Sequence, residues 1–150
     1  MDQNYTSPFE IKPQLEYAEP GRRFLAVMLD GLIIGGLFWL IRYWIRQTYT
    51  EETQEYYMAM LIYSLTRGIS YWLYFALMES SSKQATLGKM AYGIRVTDLE
   101  GNRISFGQAT TRYFSKILSA LMLFYGFIMI LRNDKRQGLH DKIAKTVVVY

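Results

Sequence analysis

The chain has 150 residues, a formal net charge of +4 and no cysteine, and 51% of its residues are hydrophobic and 16% aromatic. This composition excludes intrinsic disorder, and the lack of cysteine excludes disulfide scaffolds and thiolate metal sites. The apolar residues are concentrated in blocks, and the lengths of these blocks indicate whether the chain spans a membrane.

The chain begins with a polar tail and a first apolar helix. Residues 1–20 contain three prolines and no apolar periodicity, which predicts an extended surface tail. Residues 24–41 contain a single ionisable residue, Asp30, and as a helix they would be about 27 Å long. That length approaches the thickness of a bilayer's hydrocarbon core. We therefore predict a membrane-spanning helix at about residues 22–42.

Two further apolar blocks follow. Residues 56–78 are long enough to span, with Arg67 near their middle, and predict a second spanning helix. The third membrane segment, at about 110–131, has Arg112 and Lys116 one helical turn apart, and its uninterrupted apolar run would cover only about 22 Å. Either it is a tilted span whose basic side chains snorkel to an interface, or it enters the membrane and returns.

The distribution of Lys and Arg bears on this choice. The N-terminal tail contains three, the acidic first loop two, the second loop four and the C-terminal tail five. The positive-inside rule places both tails and the second loop in the cytoplasm. Because three full crossings would send the C-terminus outside, the charges favour two spans plus a re-entrant third segment.

Short strands are predicted between the second and third blocks and at the C-terminus. Alternating apolar residues flank a glycine-containing turn and predict a β-hairpin at about 92–107. Residues 146–150 are β-prone and are expected to add a third strand on the same side of the membrane. The predicted fold is an all-α membrane protein with two transmembrane helices, a third re-entrant or spanning helical segment and a small cytoplasmic β-element.

Three motifs occur in a characteristic order. Residues 23–30 read RFLAVMLD, residues 86–96 read TLGKMAYGIRV, and residues 137–148 read QGLHDKIAKTVV. In these motifs the chain resembles the RDD family of small bacterial membrane proteins, named after one arginine and two aspartates. The resemblance covers about residues 20–149, although Lys145 stands where a glycine is common. It implies a multi-pass protein of the bacterial cell membrane, with ion or solute transport, including sodium/proton exchange, suggested for some members.

Asp30 is the central candidate for a polar site. An ionised carboxylate near mid-membrane costs about 2.5–3.5 kcal/mol, so it should be neutral, paired or hydrated. Arg23 lies two turns earlier, about 10.5 Å along the axis, which makes Arg67 of the second helix the expected partner. The candidates for an ion or polar site are Asp30, Arg23, Arg67, Glu79, Arg112, Lys116 and Asp141.

Two hypotheses follow from this set. In the first, the chain transports a small ion or solute, and Asp30 binds a cation or proton whose affinity Arg67 sets. In the second, the chain is a non-transporting membrane adaptor or assembly factor, in which buried charges hold helices together and the hairpin docks a partner protein.

The motifs also contain residues with expected structural roles. Lys89 is predicted to be a solvated lysine near lipid headgroups, and Asp141 to cap a turn or to pair with Arg136 or Arg95. His140 is the single histidine, and no nucleophile or further ligands accompany it, so we expect neither an enzyme nor a metal site. The structural motif residues are Thr86, Gly88, Lys89, Gly93, Arg95 and His140.

Partners follow from the charges and glycines. The basic surface is expected to contact anionic lipid headgroups rather than nucleic acid. Gly31 and Gly35 form a G-x-x-x-G pair, which favours close packing against the second helix or against a second copy of the chain. No cofactor is expected.

Overall fold

Two long helices form the body of the molecule, which the computed structural model describes over residues 15–121 and 134–150. Helix α1 is Pro20–Thr48 and helix α2 is Gln54–Glu79. Thr53 caps α2 by accepting a hydrogen bond from the backbone N–H of Tyr56, at 3.2 Å. Because the connection between the helices is short, they are antiparallel neighbours. The start of α1 and the end of α2 therefore lie at the same end.

Helix α1 buries one narrow stripe and exposes the rest of its apolar surface. The stripe recurs every three or four residues and consists of Arg23, Ala26, Asp30, Ile34 and Phe38. On the other faces, Leu32 is 71% exposed and Trp39 is 64% exposed. Among the helices in the described part of the chain, α1 is the one long and apolar enough to cross a membrane, by length and composition.

Helix α2 packs on α1 through aromatic side chains. The Tyr63 hydroxyl donates to the Phe38 carbonyl at 3.1 Å, and the two rings meet edge to face. Further along, the Tyr71 hydroxyl lies 3.5 Å from the position that a Cβ on Gly35 would occupy. The second predicted span, 56–78, coincides with α2.

The other elements of the described residues are two five-residue helices, two four-residue strands and one 16-residue helix. They are α3 (Leu87–Ala91), β1 (Arg95–Asp98), α4 (Phe106–Leu121), α5 (Leu139–Ile143) and β2 (Thr146–Val149). We call α3, β1, α5 and β2 together the cap. The expected combination of a mostly helical chain with a small β-element is confirmed.

The sheet pairs β1 with the C-terminal strand. The strands are antiparallel, and Val96 lies opposite Val148. The predicted surface tail contributes to it: Ala18 is fully buried, and its N–H donates to the Val148 carbonyl at 2.9 Å. Residues 1–14 of that tail lie outside the described residues.

The prediction of a β-hairpin at 92–107 is wrong in its second strand, which does not form. The turn forms, since the N–H of Asp98 donates to the Asn102 carbonyl at 3.0 Å, but a single bridge between Thr97 and Arg103 is all that follows it. Ser105 and Gln108 then cap each other's backbone N–H groups, at 3.2 and 2.9 Å, and α4 begins at Phe106. This Ser-x-x-Gln capping box outweighs the weak alternation of residues 104–107.

Helix α4 starts earlier than the third predicted segment and packs against α2. The Trp72 indole N–H donates to the Thr110 hydroxyl at 3.2 Å, and the rings of Phe75 and Tyr113 lie 6.1 Å apart. Residues 122–131 of the predicted segment are outside the described residues.

An apolar core fastens the cap to the helices. Its members come from the tail, α1, α2, the β1 region, α4 and β2, and are Ala18, Ala26, Ala76, Ile94, Val96, Ile104, Ala109 and Val148. Small alanines on the helices allow the sheet to approach closely. The polar site described next lies at the same junction.

Candidate functional site

Asp30 is fully buried and is bound by three neutral donors. The Tyr74 hydroxyl donates to Oδ1 at 2.7 Å, and the Thr86 hydroxyl donates to Oδ2 at 2.6 Å. The backbone N–H of Gly88 donates to Oδ1 at 2.7 Å. The carboxyl group thus accepts one of the N–H groups that the first turn of α3 leaves without an intrahelical partner.

The Asp30 site requires glycine at position 88. A Cβ there would lie 2.1 Å from the carbonyl oxygen of Ala26 and 2.9 Å from Cγ of Asp30. Thr86 adds a second local constraint, because it is the N-cap of α3 and its hydroxyl accepts from the Lys89 N–H at 3.4 Å. The Thr-Leu-Gly-Lys motif therefore docks α3 directly on α1.

The expected pair of Asp30 with Arg67 is wrong. Arg67 is exposed, and its guanidinium carbon lies 5.7 Å from the centre of the Tyr71 ring. It precedes Tyr74, the residue of α2 that binds Asp30, by two helical turns, which is about 10.5 Å along the axis. Asp30 therefore draws its donors from α2 and α3 near the cap.

Glu79, the last residue of α2, receives three basic side chains and is 1% exposed. Nη1 of Arg112 lies 3.0 Å from each of its carboxylate oxygens. Nζ of Lys89 lies 2.5 Å from Oε1, and Nζ of Lys116 lies 3.6 Å from the same atom. These cations come from α3 and α4.

Asp141 in α5 completes the arrangement. Oδ1 lies 2.8 Å from Nε and 2.6 Å from Nη2 of Arg112, and Oδ2 lies 3.2 Å from Nη1 of Arg23. Oδ2 also accepts from the backbone N–H of Gly138 at 3.1 Å, which caps α5. Arg112 therefore bridges the carboxylates of Glu79 and Asp141.

We call these connected side chains the ionic cluster: Arg23, Glu79, Lys89, Arg112, Lys116 and Asp141. They come from α1, α2, α3, α4 and α5. Four are basic and two are acidic, so the cluster holds more positive than negative charge. Removing one partner from such a buried network costs about 3–5 kcal/mol, since it leaves another charge uncompensated.

Burial changes the protonation of groups in the cap. It lowers the pKa of Lys89 to about 7, although the Glu79 carboxylate opposes the shift. It lowers the pKa of His140 to about 3, so this imidazole is neutral at pH 7. Burial alone would raise the pKa of Asp141, but the Arg112 guanidinium holds it well below its usual range.

The structure thus divides the predicted site residues into three places. Five of the seven candidates meet in the ionic cluster, namely Arg23, Glu79, Arg112, Lys116 and Asp141. Asp30 lies with the motif residues Thr86 and Gly88, and Arg67 lies apart from both.

Three expected roles need correction. Lys89 is not a solvated headgroup lysine: it is 3% exposed and pairs with Glu79. Asp141 caps its turn as expected, but its ion partners are Arg112 and Arg23. Arg95 is exposed on β1, and Arg136 instead donates to the Tyr17 carbonyl at 3.2 Å.

The glycines and the histidine play separate structural parts. Gly93 has a φ of +65°, which a turn from α3 into β1 requires and glycine adopts without strain. Gly35 faces Tyr71 of α2, whereas a Cβ on Gly31 would meet open space. His140 is 4% exposed, with Nε2 3.5 Å from Oδ1 of Asp141.

Sequence reasoning missed Tyr74 as a ligand of Asp30 and Lys89 as a member of the ionic cluster. A tyrosine in an apolar helix needs a hydroxyl partner, but α2 contains several tyrosines and nothing in the sequence singles out this one. In residues 15–121 and 134–150, no group of three or more acidic or histidine side chains is placed to hold a metal ion. The ionic cluster and the Asp30 site hold the cap against α1, α2 and α4 through ion pairs and hydrogen bonds.

Comparisons with known proteins agree with the three motifs. The RDD family model matches residues 17–145. The chain is 37% identical over 142 residues to "Uncharacterized protein YxaI" of Bacillus subtilis, covering 85% of this chain and 93% of that protein. It is 33% identical over 134 residues to "Uncharacterized membrane protein YteJ" of the same organism, covering 85% and 77%.

A third relative matches over a shorter region. The "Proline-rich antigen homolog" of Mycobacterium tuberculosis is 35% identical over 66 residues, which is 43% of this chain and 28% of that protein. No solved structure matches the chain.

Proposed function

The chain belongs to the RDD family, and we propose that it acts as a membrane-embedded adaptor. Helices α1 and α2 anchor it in the bacterial cell membrane, and the cap docks a partner protein on the cytoplasmic side. The observation that carries this proposal is the bridge that Arg112 makes between Glu79 of α2 and Asp141 of α5. This bridge holds the cap against the membrane helices and does not line a pathway for an ion or solute between them.

The positions of α4 and α5, which flank the third predicted segment, support two membrane crossings. Helix α4 leaves the cap beside Glu79, where Arg112 lies, and the chain is back at the same cluster by Asp141. A segment that departs from and returns to one end of α2 suits a re-entrant third segment. With the basic loops inside, both termini are cytoplasmic and the α1–α2 connection is outside.

The cap presents a well-ordered exposed turn as its docking surface. The Asp98 carboxylate accepts from the backbone N–H groups of Glu100 and Asn102, at 3.0 and 2.7 Å. Leu99, at the turn, is 39% exposed. Such a turn loses little conformational freedom when a partner binds, which favours affinity.

Transport through Asp30 is the competing function, and the geometry favours it less. Three donors at 2.6–2.7 Å occupy the carboxyl group, and the backbone of α3 lies against it. A cation would have to displace these donors. The expected electrostatic partner, Arg67, is not at the site.

The docking surface is tested by photocrosslinking in cells. A photoreactive residue at Leu99 is expected to give one discrete protein adduct, and the same residue at Leu32, on the apolar outer face of α1, is the matched control. The protein in the adduct is then purified and tested for binding to the reconstituted chain. Binding should be lost in a Leu99→Ser, Glu100→Ser variant. Adducts that are equal at both positions, or binding unchanged by the variant, contradict the adaptor.

Ion flux is the complementary measurement. The wild-type chain and Asp30→Asn are reconstituted in sealed vesicles, and sodium and proton gradients are applied. The adaptor predicts that both behave like protein-free vesicles. A flux in the wild type that Asp30→Asn abolishes would replace the adaptor with transport.

A further inference from the structure

An arginine that contacts no carboxylate of the described residues lies at mid-length on α2. Arg67 is about 18 Å along the axis from either end of the helix, which is too far for its side chain to reach a headgroup. It is exposed, and within the described residues it contacts the face of the Tyr71 ring and no carboxylate. A guanidinium at this depth needs a counter-charge, because hydrocarbon does not solvate it.

Arg67 opens onto a groove with further hydrogen-bond donors. The groove has a volume of about 310 Å³ and is lined by Ser64, Arg67, Gly68 and Tyr71 of α2 and by Tyr113 of α4. Within the described part of the chain, the Tyr113 hydroxyl has no hydrogen-bond partner. The groove thus combines one cation with two tyrosine side chains, an arrangement that suits a carboxylate acceptor.

The same part of α2 permits another helix to approach closely. Ser64 and Gly68 are exposed and one turn apart, and a Cβ on Gly68 would meet no atom within 4 Å. Small residues at this spacing allow close contact between membrane helices. Leu61 and Leu65, which are 53% and 59% exposed, add apolar surface beside them.

A second copy of the chain does not supply the missing acid. In residues 15–121 and 134–150, Asp30, Glu79 and Asp141 are buried and already bound. The remaining carboxylates of the described residues lie before α1, in the α1–α2 connection and first turn of α2, at the end of β1, or in the loops around the cap. None is at the depth of Arg67. Because no carboxylate of the described residues reaches Arg67, the counter-charge is sought in another molecule.

We propose that the groove around Arg67 docks a transmembrane helix of a different protein, one that carries an aspartate or glutamate near its middle. The Arg67 guanidinium and the Tyr113 hydroxyl bind that carboxyl group, and Ser64 and Gly68 accept the partner's backbone. This inference rests on the proposed adaptor function and deepens it, since it names the chemistry of a membrane partner.

The test uses the full chain in phosphatidylcholine vesicles with synthetic spanning peptides. The peptides are leucine-rich and differ at one central residue, which is Glu, Gln or Leu. Because the chain has no cysteine, one cysteine introduced at Glu52 carries the fluorescent label for energy transfer. The Glu peptide is expected to associate at least tenfold more tightly than the Leu peptide. Arg67→Met should abolish this difference, and Arg42→Met, at an exposed arginine of α1, should retain it.

Further variants keep the result interpretable. Arg67→Lys retains the charge and should keep part of the preference, and Tyr113→Phe should weaken it several-fold. Circular dichroism and melting of Arg67→Met should match the wild type. Equal association of the Glu and Leu peptides, or a preference that survives Arg67→Met, overturns the proposal.

Two other occupants would also overturn it. Energy transfer between differently labelled copies that depends on Arg67 would make the occupant a second copy. Loss of peptide binding when phosphatidylglycerol is added, with Arg67-dependent lipid binding, would make it an anionic lipid. The spanning peptides do not reach the cap. A negative result in peptide binding therefore leaves the crosslinking test at Leu99 unaffected, and a negative result in crosslinking leaves the peptide test at Arg67 unaffected.

Discussion

The molecule buries its acidic side chains in two different ways. Asp30 is bound by neutral donors: two hydroxyls and one backbone N–H. Glu79 and Asp141 are instead bound by cations, with Arg112 shared between them. Both sites join the cap to the long helices.

This difference predicts how each site responds to changes in side-chain volume, charge and pH. The Asp30 site depends on close fit, because a backbone donor reaches the carboxyl group only if α3 touches α1. The ionic cluster depends on charge balance, and burial shifts the pKa of both Lys89 and His140 around it. We therefore expect the first site to be sensitive to volume and the second to be sensitive to charge and pH.

Removing the bridge of the ionic cluster should have the largest effect. Arg112→Met leaves Glu79 and Asp141 without their shared partner and should lower the free energy of unfolding by about 3–5 kcal/mol. Chemical unfolding in mixed micelles measures this. Arg46→Met is the matched control, because Arg46 and Glu51 form an exposed pair at 3.7 Å, and it should cost less than about 1 kcal/mol. Equal losses in both variants would show that the cluster contributes no more than a surface pair.

Crowding the Asp30 site should come next. Gly88→Ala places a Cβ against the Ala26 carbonyl, forces α3 away from α1 and should cost about 3 kcal/mol. The control is Gly36→Ala, where a Cβ would meet open space and helix propensity should increase. A loss for Gly88→Ala no larger than for the control would contradict the close contact between α3 and α1.

Acidification should act on the cap through His140. Its folded pKa of about 3 lies below the ordinary value of 6.5, so the unfolded chain binds a proton that the folded chain does not. The stability that His140 contributes is therefore fully present above pH 6.5 and should fall by about 2 kcal/mol between pH 7.5 and pH 5. Asp141 contributes to the pH dependence only below about pH 4, because its folded pKa is depressed. His140→Gln should flatten the curve between pH 5 and pH 6.5, where Lys89 is mostly protonated in both the folded and the unfolded chain. An unchanged slope in that range would rule out His140 as the origin.

Removing one neutral donor from Asp30 should have the smallest effect. Tyr74→Phe deletes the 2.7 Å hydrogen bond to Oδ1 and the acceptor for the Leu87 N–H, while Thr86 and Gly88 remain. We expect a loss of about 1 kcal/mol in the free energy of unfolding. Tyr57→Phe, at a 60% exposed tyrosine, is the control and should be neutral. A loss above that of Gly88→Ala would reverse the order proposed for this site.

Much of the fold could be predicted because it depends on local patterns. The apolar run around Asp30 predicted α1, and the β-prone tail predicted the strand that pairs with β1. The predicted strand at residues 104–107 does not form, because the Ser105–Gln108 capping box outweighs the weak apolar alternation there. Both patterns were readable, and the capping signal is the more specific of the two.

The candidate site was only half predictable. Five of the seven predicted candidates meet in the ionic cluster, because ionisable residues in or near apolar segments are expected to be paired. The pairing of each cation with its acid could not be predicted, because spacing along one helix does not determine which residues of the neighbouring helix lie beside it. Arg67 and Lys89 were therefore assigned the wrong surroundings.

The sequence by itself determined the family, the apolar helix α1 and the need to neutralise buried charges, since each follows from residue identity and order along the chain. The tertiary structure alone decided that α3 delivers a backbone N–H to Asp30 and that Arg112 joins two carboxylates. These contacts connect residues that are distant in the chain. They form only when α1, α2 and the cap are packed together.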